Sequence, residues 1–300
     1  MALAHADAAS DVPGSLSAAA FFTEAQPEIL PALLIGSMGL LYAVGLRRLA
    51  GRGRRWPVAR SAAFAGGLVA LVGATQSGLA AYDATLFSAH VGQHVLLGVV
   101  APFLLALGAP ITLALQSASR PTKVRLLRLL RSRPVHALTN PIVAWGVFGL
   151  TLFALYFTPV YELSLRNSFV HELVHVHFLV AGSLFFWAVI GLDPVAWRIP
   201  YGFRLLLVVL TVPFHAFLGL ALMMATTPIA AGYYEGVPRP AGVTLLGDQQ
   251  TGAGIMWLVG DVIGVVAGAL VVRQWMQHED RAADRADRRD DRRRAMAGAT

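Results

Sequence analysis

The sequence contains no cysteine, so it holds no disulfide, thiolate metal site or cysteine nucleophile. Any transition metal must be held by His, Met, carboxylate or amide groups. Charge is scarce too. Only 14% of the 300 residues are charged, against about a quarter in a water-soluble chain, and long stretches carry no charge at all. Mean hydropathy is +0.60 and 56% of the residues are hydrophobic. These shortages exclude a soluble enzyme, a disordered chain and a nucleic-acid-binding protein, despite a formal net charge of +7 and a pI near 10.3. No Lys or Arg precedes Arg47, so the start of the chain does not read as a signal peptide with a basic n-region. The composition implies an all-α, polytopic membrane protein embedded in a lipid bilayer, and the basic excess then becomes a topology signal.

A spanning helix takes about 20 mostly apolar residues. Seven such stretches run roughly over 29–46, 59–81, 91–115, 141–158, 171–191, 204–227 and 251–272. They are continuous rather than alternating, which excludes a β-barrel reading. Residues 1–28 read as a flexible outer segment, 29–272 as a seven-span membrane domain, and 273–300 as a charged tail. Of the 24 Lys and Arg residues, 22 fall in four segments: 47–60, 120–133, the Arg198/Arg204 pair and the tail. With seven spans all four lie on one side, leaving Arg166 and Arg239 on the other. Basic flanks stay cytoplasmic, so the expected arrangement has the N-terminus outside and the C-terminus in the cytoplasm. The Arg–Asp tail reads as a solvated helix extension with ion pairs at three- and four-residue spacing; an arm for acidic lipid or protein is the other reading. His136 and His278, beside the basic loop and in the tail, read as ordinary polar residues.

Six of the nine histidines lie in or at the edges of spans. His90 and His94 open the third span from outside, His171, His175 and His177 open the fifth from outside, and His215 sits near the middle of the sixth. Ionisable groups in a membrane are costly and by default point to function. His90 and His94 are four apart and share a helix face, as do His171 and His175. His177 points away from that face. Two such pairs could form a four-imidazole cage for copper or zinc, or ligate haem iron; a single intramembrane His is more often a hydrogen-bonded packing residue. At 1.5 Å per residue His215 lies about 16 Å above its cytoplasmic end, near mid-membrane. It is expected to complete the site or to mark a deeper second position. Met223 lies about 80° around the helix from His215 and Met224 nearly opposite; packing is the plainer reading of that pair, copper ligation the other.

Asp261 is the one carboxylate in the interior of a span, away from its edges. Gly254, Gly264 and Gly268 share its helix face, so it is expected to point into the bundle as a metal ligand, a group orienting a His ring, or a proton relay. Pro102, after Gly98, should kink the third span, and Pro213 the sixth.

The run FSAHVGQHVLLGVVAPFLLALGAPITL (87–113) resembles the third span of the integral-membrane CtaG family, the assembly factors of bacterial caa-type cytochrome c oxidase. NPIVAWGVF, YFTPVYELSLRNSFVHELVHVHFLVAGSLFFWAVIGLDP (156–194), VPFHAFLGLALMM (212–224) and GDQQTGAGIMWLVGD (247–261) resemble it as well, covering about residues 30–290. The resemblance implies a seven-span protein of the bacterial plasma (inner) membrane. It implies a role in the respiratory chain, maturing a haem–copper oxidase by helping copper reach its subunits. The family's histidine motifs match at His90, His94, His171, His175, His177 and His215, and Asp261 stands where the family carries an acidic residue.

The expected function is therefore that of a non-enzymatic assembly factor whose outward-facing histidines hold copper transiently for an oxidase subunit. A copper transporter would need polar groups continuing through the inner half of the bundle, and the third and fifth spans have no ionisable residue there. A haem-binding redox protein is a third possibility. No Gly-x-Ser-x-Gly elbow supports a hydrolase. HELVH at 171–175 matches the zincin pattern, in which Glu172 would activate a zinc-bound water, but it sits at the outer boundary.

Overall fold

The computed structural model describes residues 18–25, 28–194, 196–197 and 199–297. Residues 1–17, 26 and 27 of the segment expected to be flexible lie outside these, as do Arg198 and residues 298–300 of the tail. The described chain is helical throughout, with no strand. We label the helices of the seven expected spans α1 (Ile29–Ala50), α2 (Val58–Thr75), α3 (Phe87–Ser117), α4 (Pro141–Tyr156), α5 (Ser168–Ile190), α6 (Tyr201–Met224) and α7 (Leu245–Ala297). Six are long and apolar enough to cross a membrane; the α2 crossing includes the Gly78–Tyr82 turn. The 16-residue α4 qualifies only together with Val160–Arg166, to which it is joined by a 71° bend. Thr158-Pro159 forms that corner. Proline has no N–H to continue the ladder, and Thr158 Oγ1 instead accepts from the amide of Val160.

Capping carboxylates fix where α3 starts and restarts. Asp248, in the first turn of α7, accepts from the amides of Phe87 (2.6 Å) and Ser88 (3.3 Å). Further along, Ala109 takes a left-handed conformation (φ 49°) and Pro110 opens a new helical segment. Asp193 accepts from Ile111 (3.1 Å) and Thr112 (2.6 Å) there, and from the Trp187 indole (2.9 Å). Each carboxylate satisfies helix-start amides that lipid could not. Asn140 and Asn167 do the same locally for α4 and α5.

Between its ends α3 is irregular where a Pro102 kink was expected. Leu96–Val100 forms one π-helical turn directly before Ala101-Pro102. Pro102 cannot donate to the carbonyl of Gly98, four residues back, and that carbonyl is aimed at α5. A Cβ on Gly182 would lie 1.9 Å from Gly98 O and 2.9 Å from Pro102 Cγ. Only glycine permits this crossing, which sets α3 and α5 backbone to backbone. Helix α6, by contrast, runs unbroken through Pro213.

Helix α7 continues as one helix from its apolar stretch into the charged tail. Its packing face differs from the expected glycine stripe. Gly264 and Gly268 lie against Val212, Leu205 and Val208 of α6, but Gly254 faces open space. The closest approaches are made by Gly252, against Phe87, and by Gly260, against the ring of His215. Helix α7 thus packs against both α3 and α6.

Candidate metal centre

The Gly98–Gly182 crossing places the histidines that precede it on both helices in contact. His94 and His175 have ring centroids 5.2 Å apart, His90 and His171 5.1 Å, and within each helix the pairs are 4.3 and 4.1 Å apart. All four are buried, with exposures between 0 and 8%. The face-sharing inferred from the four-residue spacing therefore holds on both helices, and the two faces meet. Ligand-capable atoms of His90, His94 and His171 lie within 4.8 Å of one another, and those of Asp83, His171 and His175 do so as well. His171 belongs to both triads. Its Nε2 is 3.7 Å from Asp83 Oδ2.

Hydrogen bonds set the tautomers. His90 Nδ1 lies 3.3 Å from the carbonyl oxygen of Asp83. A carbonyl only accepts, so Nδ1 carries the proton and the lone pair of a neutral ring sits on Nε2. That Nε2 is buried and unpartnered. Gln93 donates from Nε2 to the carbonyl of Ala74 (3.0 Å), which turns its Oε1 toward His175 Nε2 at 3.1 Å. His175 therefore donates from Nε2 and keeps its lone pair on Nδ1. Such bonds orient metal-binding imidazoles. In His94 both Nδ1 and Nε2 are buried without a partner. Each unsatisfied buried polar atom costs about 1–3 kcal/mol, a cost that binding a cation would offset. The ring of Tyr161 closes the site edge-on against His90 at 4.9 Å, and its hydroxyl is 2.7 Å from that of Tyr234.

Asp83 and Gln93 are the two residues of this site that sequence reasoning missed. Burial pushes the Asp83 carboxyl up to about 8, a hydrogen bond from Gln93 opposing the shift. Its signal was its position, seven residues before His90 in a segment without Lys or Arg. Gln93 offered only an amide between two histidines.

The other expected site residues stand elsewhere. His177 is exposed on the opposite face of α5, where its Nε2 meets Thr151 Oγ1 at 2.8 Å; the structure does not bring it to the cluster. His215 is buried deeper in the bundle, donates from Nδ1 to the carbonyl of Thr211 (3.2 Å), and leaves Nε2 unpartnered. It shares a small cavity with His94. Asp261 accepts from the Trp257 indole (2.7 Å), its other oxygen being buried and unpartnered. The His215 ring is held by Thr211 rather than by Asp261. Met224 is exposed and Met223 packs at the edge of the core. Glu172 is half-exposed, with Oε1 3.8 Å from His175 Nδ1. Neither His136, stacked on Trp197, nor His278, near Tyr201, approaches the cluster.

Residues 40–278 match the family model described as the cytochrome c oxidase caa3 assembly factor. An uncharacterized protein of Mycobacterium bovis and another of Mycobacterium tuberculosis are each 39% identical to the chain over 269 residues, 86% of this chain and 41% of theirs. One of Mycobacterium leprae is 35% identical over 261 residues, 85% of this chain and 40% of its own. The chain thus spans about two-fifths of the length of the curated relatives it matches. No solved structure matches.

Proposed function

The chain belongs to the cytochrome c oxidase caa3 assembly factor family, and on that premise we propose that it holds copper transiently in the buried histidine cluster and passes it to an oxidase subunit. Copper is its cargo. The single observation that carries the reading is the convergence of four imidazoles and Asp83 on two triads sharing His171, with Nε2 of His90 and both nitrogens of His94 buried there without a partner. Imidazole suits copper, zinc and iron. Ring centroids only 4.1–6.1 Å apart suit an ion better than a haem plane with an imidazole on each face. The work is binding and release, which asks no catalysis of Glu172. The membrane is the bacterial plasma membrane, and the cluster lies at its outer side because Arg47–Arg60, Arg120–Arg133 and the tail all leave the opposite end.

Deleting the protein should lower cytochrome c oxidase activity while oxidase transcription stays normal, with partial restoration by added copper. Unchanged oxidase activity in the deletion strain would remove the assembly role.

Orientation is tested separately. A reporter active only outside the plasma membrane should work when fused near residue 85, 165 or 240, and fail near 55, 125 or 285. The reverse pattern would place the cluster on the cytoplasmic side and overturn delivery at the outer face.

A further inference from the structure

We infer that the slot between α1, α3 and α5, at the end of the bundle that carries the basic segments, holds an acyl chain of an anionic phospholipid whose phosphate sits against Arg131 and Arg133. The slot has a volume of about 410 Å³ and follows α5 from Leu179 to Ala188. Met38 of α1, Leu105 of α3, and Leu130 and Val135 of the segment joining α3 to α4 form its other walls. Nine helical residues rise about 14 Å, roughly half of a hydrocarbon core about 30 Å thick, so the slot runs the depth of one leaflet. Val180 on its wall is exposed, so a chain enters from the bilayer side of α5. The polar groups along it are already engaged. The Trp187 indole donates to Asp193 (2.9 Å), and the Thr139 hydroxyl donates to the carbonyl of Val135 (2.6 Å). What remains is apolar wall, in the size range of about 300–1,000 Å³ usual for ligand sites.

The joining segment supplies the charge. Arg131 and Arg133 are exposed and stand between Leu130 and Val135, the two residues of this segment that line the slot from either side of them. In the preceding helix, Arg120–Leu130, the half-buried Leu126, Leu127 and Leu130 fall within about 100° of one another, and Arg125 and Arg128 lie on the other side. Neither this helix nor Arg133–Leu138 has a buried residue, which suits an amphipathic element lying in the lipid interface. Six Lys and Arg residues fall between Arg120 and Arg133, and the sequence has no Asp or Glu between Asp83 and Glu162. None of the six makes an ion pair among the described residues. Cations without counter-charges beside an apolar slot complement a lipid that carries both an anion and a hydrocarbon chain. A neutral lipid or an apolar helix would match the slot and leave the charge unanswered.

The inference does not rest on the copper reading. Its test is native mass spectrometry of the full-length protein in a neutral detergent, titrated with phosphatidylglycerol or with phosphatidylcholine. One phosphatidylglycerol should be retained about tenfold more tightly than phosphatidylcholine. Arg131→Gln/Arg133→Gln should remove that preference. Arg54→Gln/Arg55→Gln, which takes the same charge from another exposed loop, should leave it intact. Ser183→Phe fills the slot and should weaken both lipids roughly tenfold by shutting out methylenes. Ala196→Phe obstructs it from a residue outside the spans and gives the same reading if Ser183→Phe does not fold. Equal retention of the two lipids overturns the proposal, as do equal losses in both arginine variants. Undiminished binding in the Phe variants shows that no chain enters the slot. A wild type that retains no lipid leaves the slot to a protein segment and also overturns it.

Discussion

Replacing His171 alone by Asn should weaken copper binding by about a hundredfold, and each of His90→Asn and His175→Asn by only about tenfold. The ordering follows from geometry. His171 is the sole member common to the two triads, so its loss reduces both to pairs, whereas losing His90 or His175 leaves one triad whole. Asn matches the polarity of the ring at smaller volume and spares the cluster an apolar patch against Asp83. Competition of the purified protein with a copper chelator reads the affinities, and oxidase activity in strains carrying each variant should fall in the same order. Equal losses at all three positions would show that the histidines act as one undivided cage. No loss at His171 would remove the cluster as the copper site.

The spans and the histidine faces were legible because they depend on local periodicity. Twenty apolar residues and a four-residue spacing are properties of one helix, and the angular arithmetic that set His177 apart from His171 and His175 is too. Which helix meets which is not encoded that way. The sequence shows Gly98, Pro102 and Gly182 as common residues of spans, and only the assembled bundle reveals that the carbonyl freed by Pro102 lies against the one glycine that admits it. The same limit hid Asp83 and Gln93, whose roles come from the groups they meet on other segments: His90 and His171 for Asp83, Ala74 and His175 for Gln93. Asp261 differs in another way. Its helix face was inferred correctly at Gly264 and Gly268, while one of its carboxylate oxygens accepts from an indole one turn away on its own helix, a local partner that the face arithmetic did not single out.

Gly182→Ala should be the most damaging single methyl group in the protein. Its Cβ would sit 1.9 Å from Gly98 O and 2.8 Å from Gly98 C, whereas carbon and carbonyl oxygen settle at about 3.3–3.6 Å. The obstacle is backbone, with no flexible end to swing aside, so α3 and α5 must part by more than about 1 Å. Overpacking of this kind costs about 1–3 kcal/mol, which for a bundle of this size lowers the thermal midpoint by roughly 2–5 °C. The same displacement separates His94 from His175, and copper affinity should fall about tenfold or more, since metal–imidazole bonds of about 2 Å tolerate little spreading. Two companion variants grade the effect. Gly98→Ala meets only the Phe178 ring, at 2.8 Å, and should cost less on both measures because a side chain can yield. Gly146→Ala meets nothing within 4 Å and should leave affinity unchanged, with stability equal or slightly raised by helix propensity. Thermal unfolding and copper affinity of the three purified variants should therefore fall in the order Gly146→Ala, Gly98→Ala, Gly182→Ala. If Gly182→Ala matches Gly146→Ala on both, the crossing does not hold the two histidine faces together.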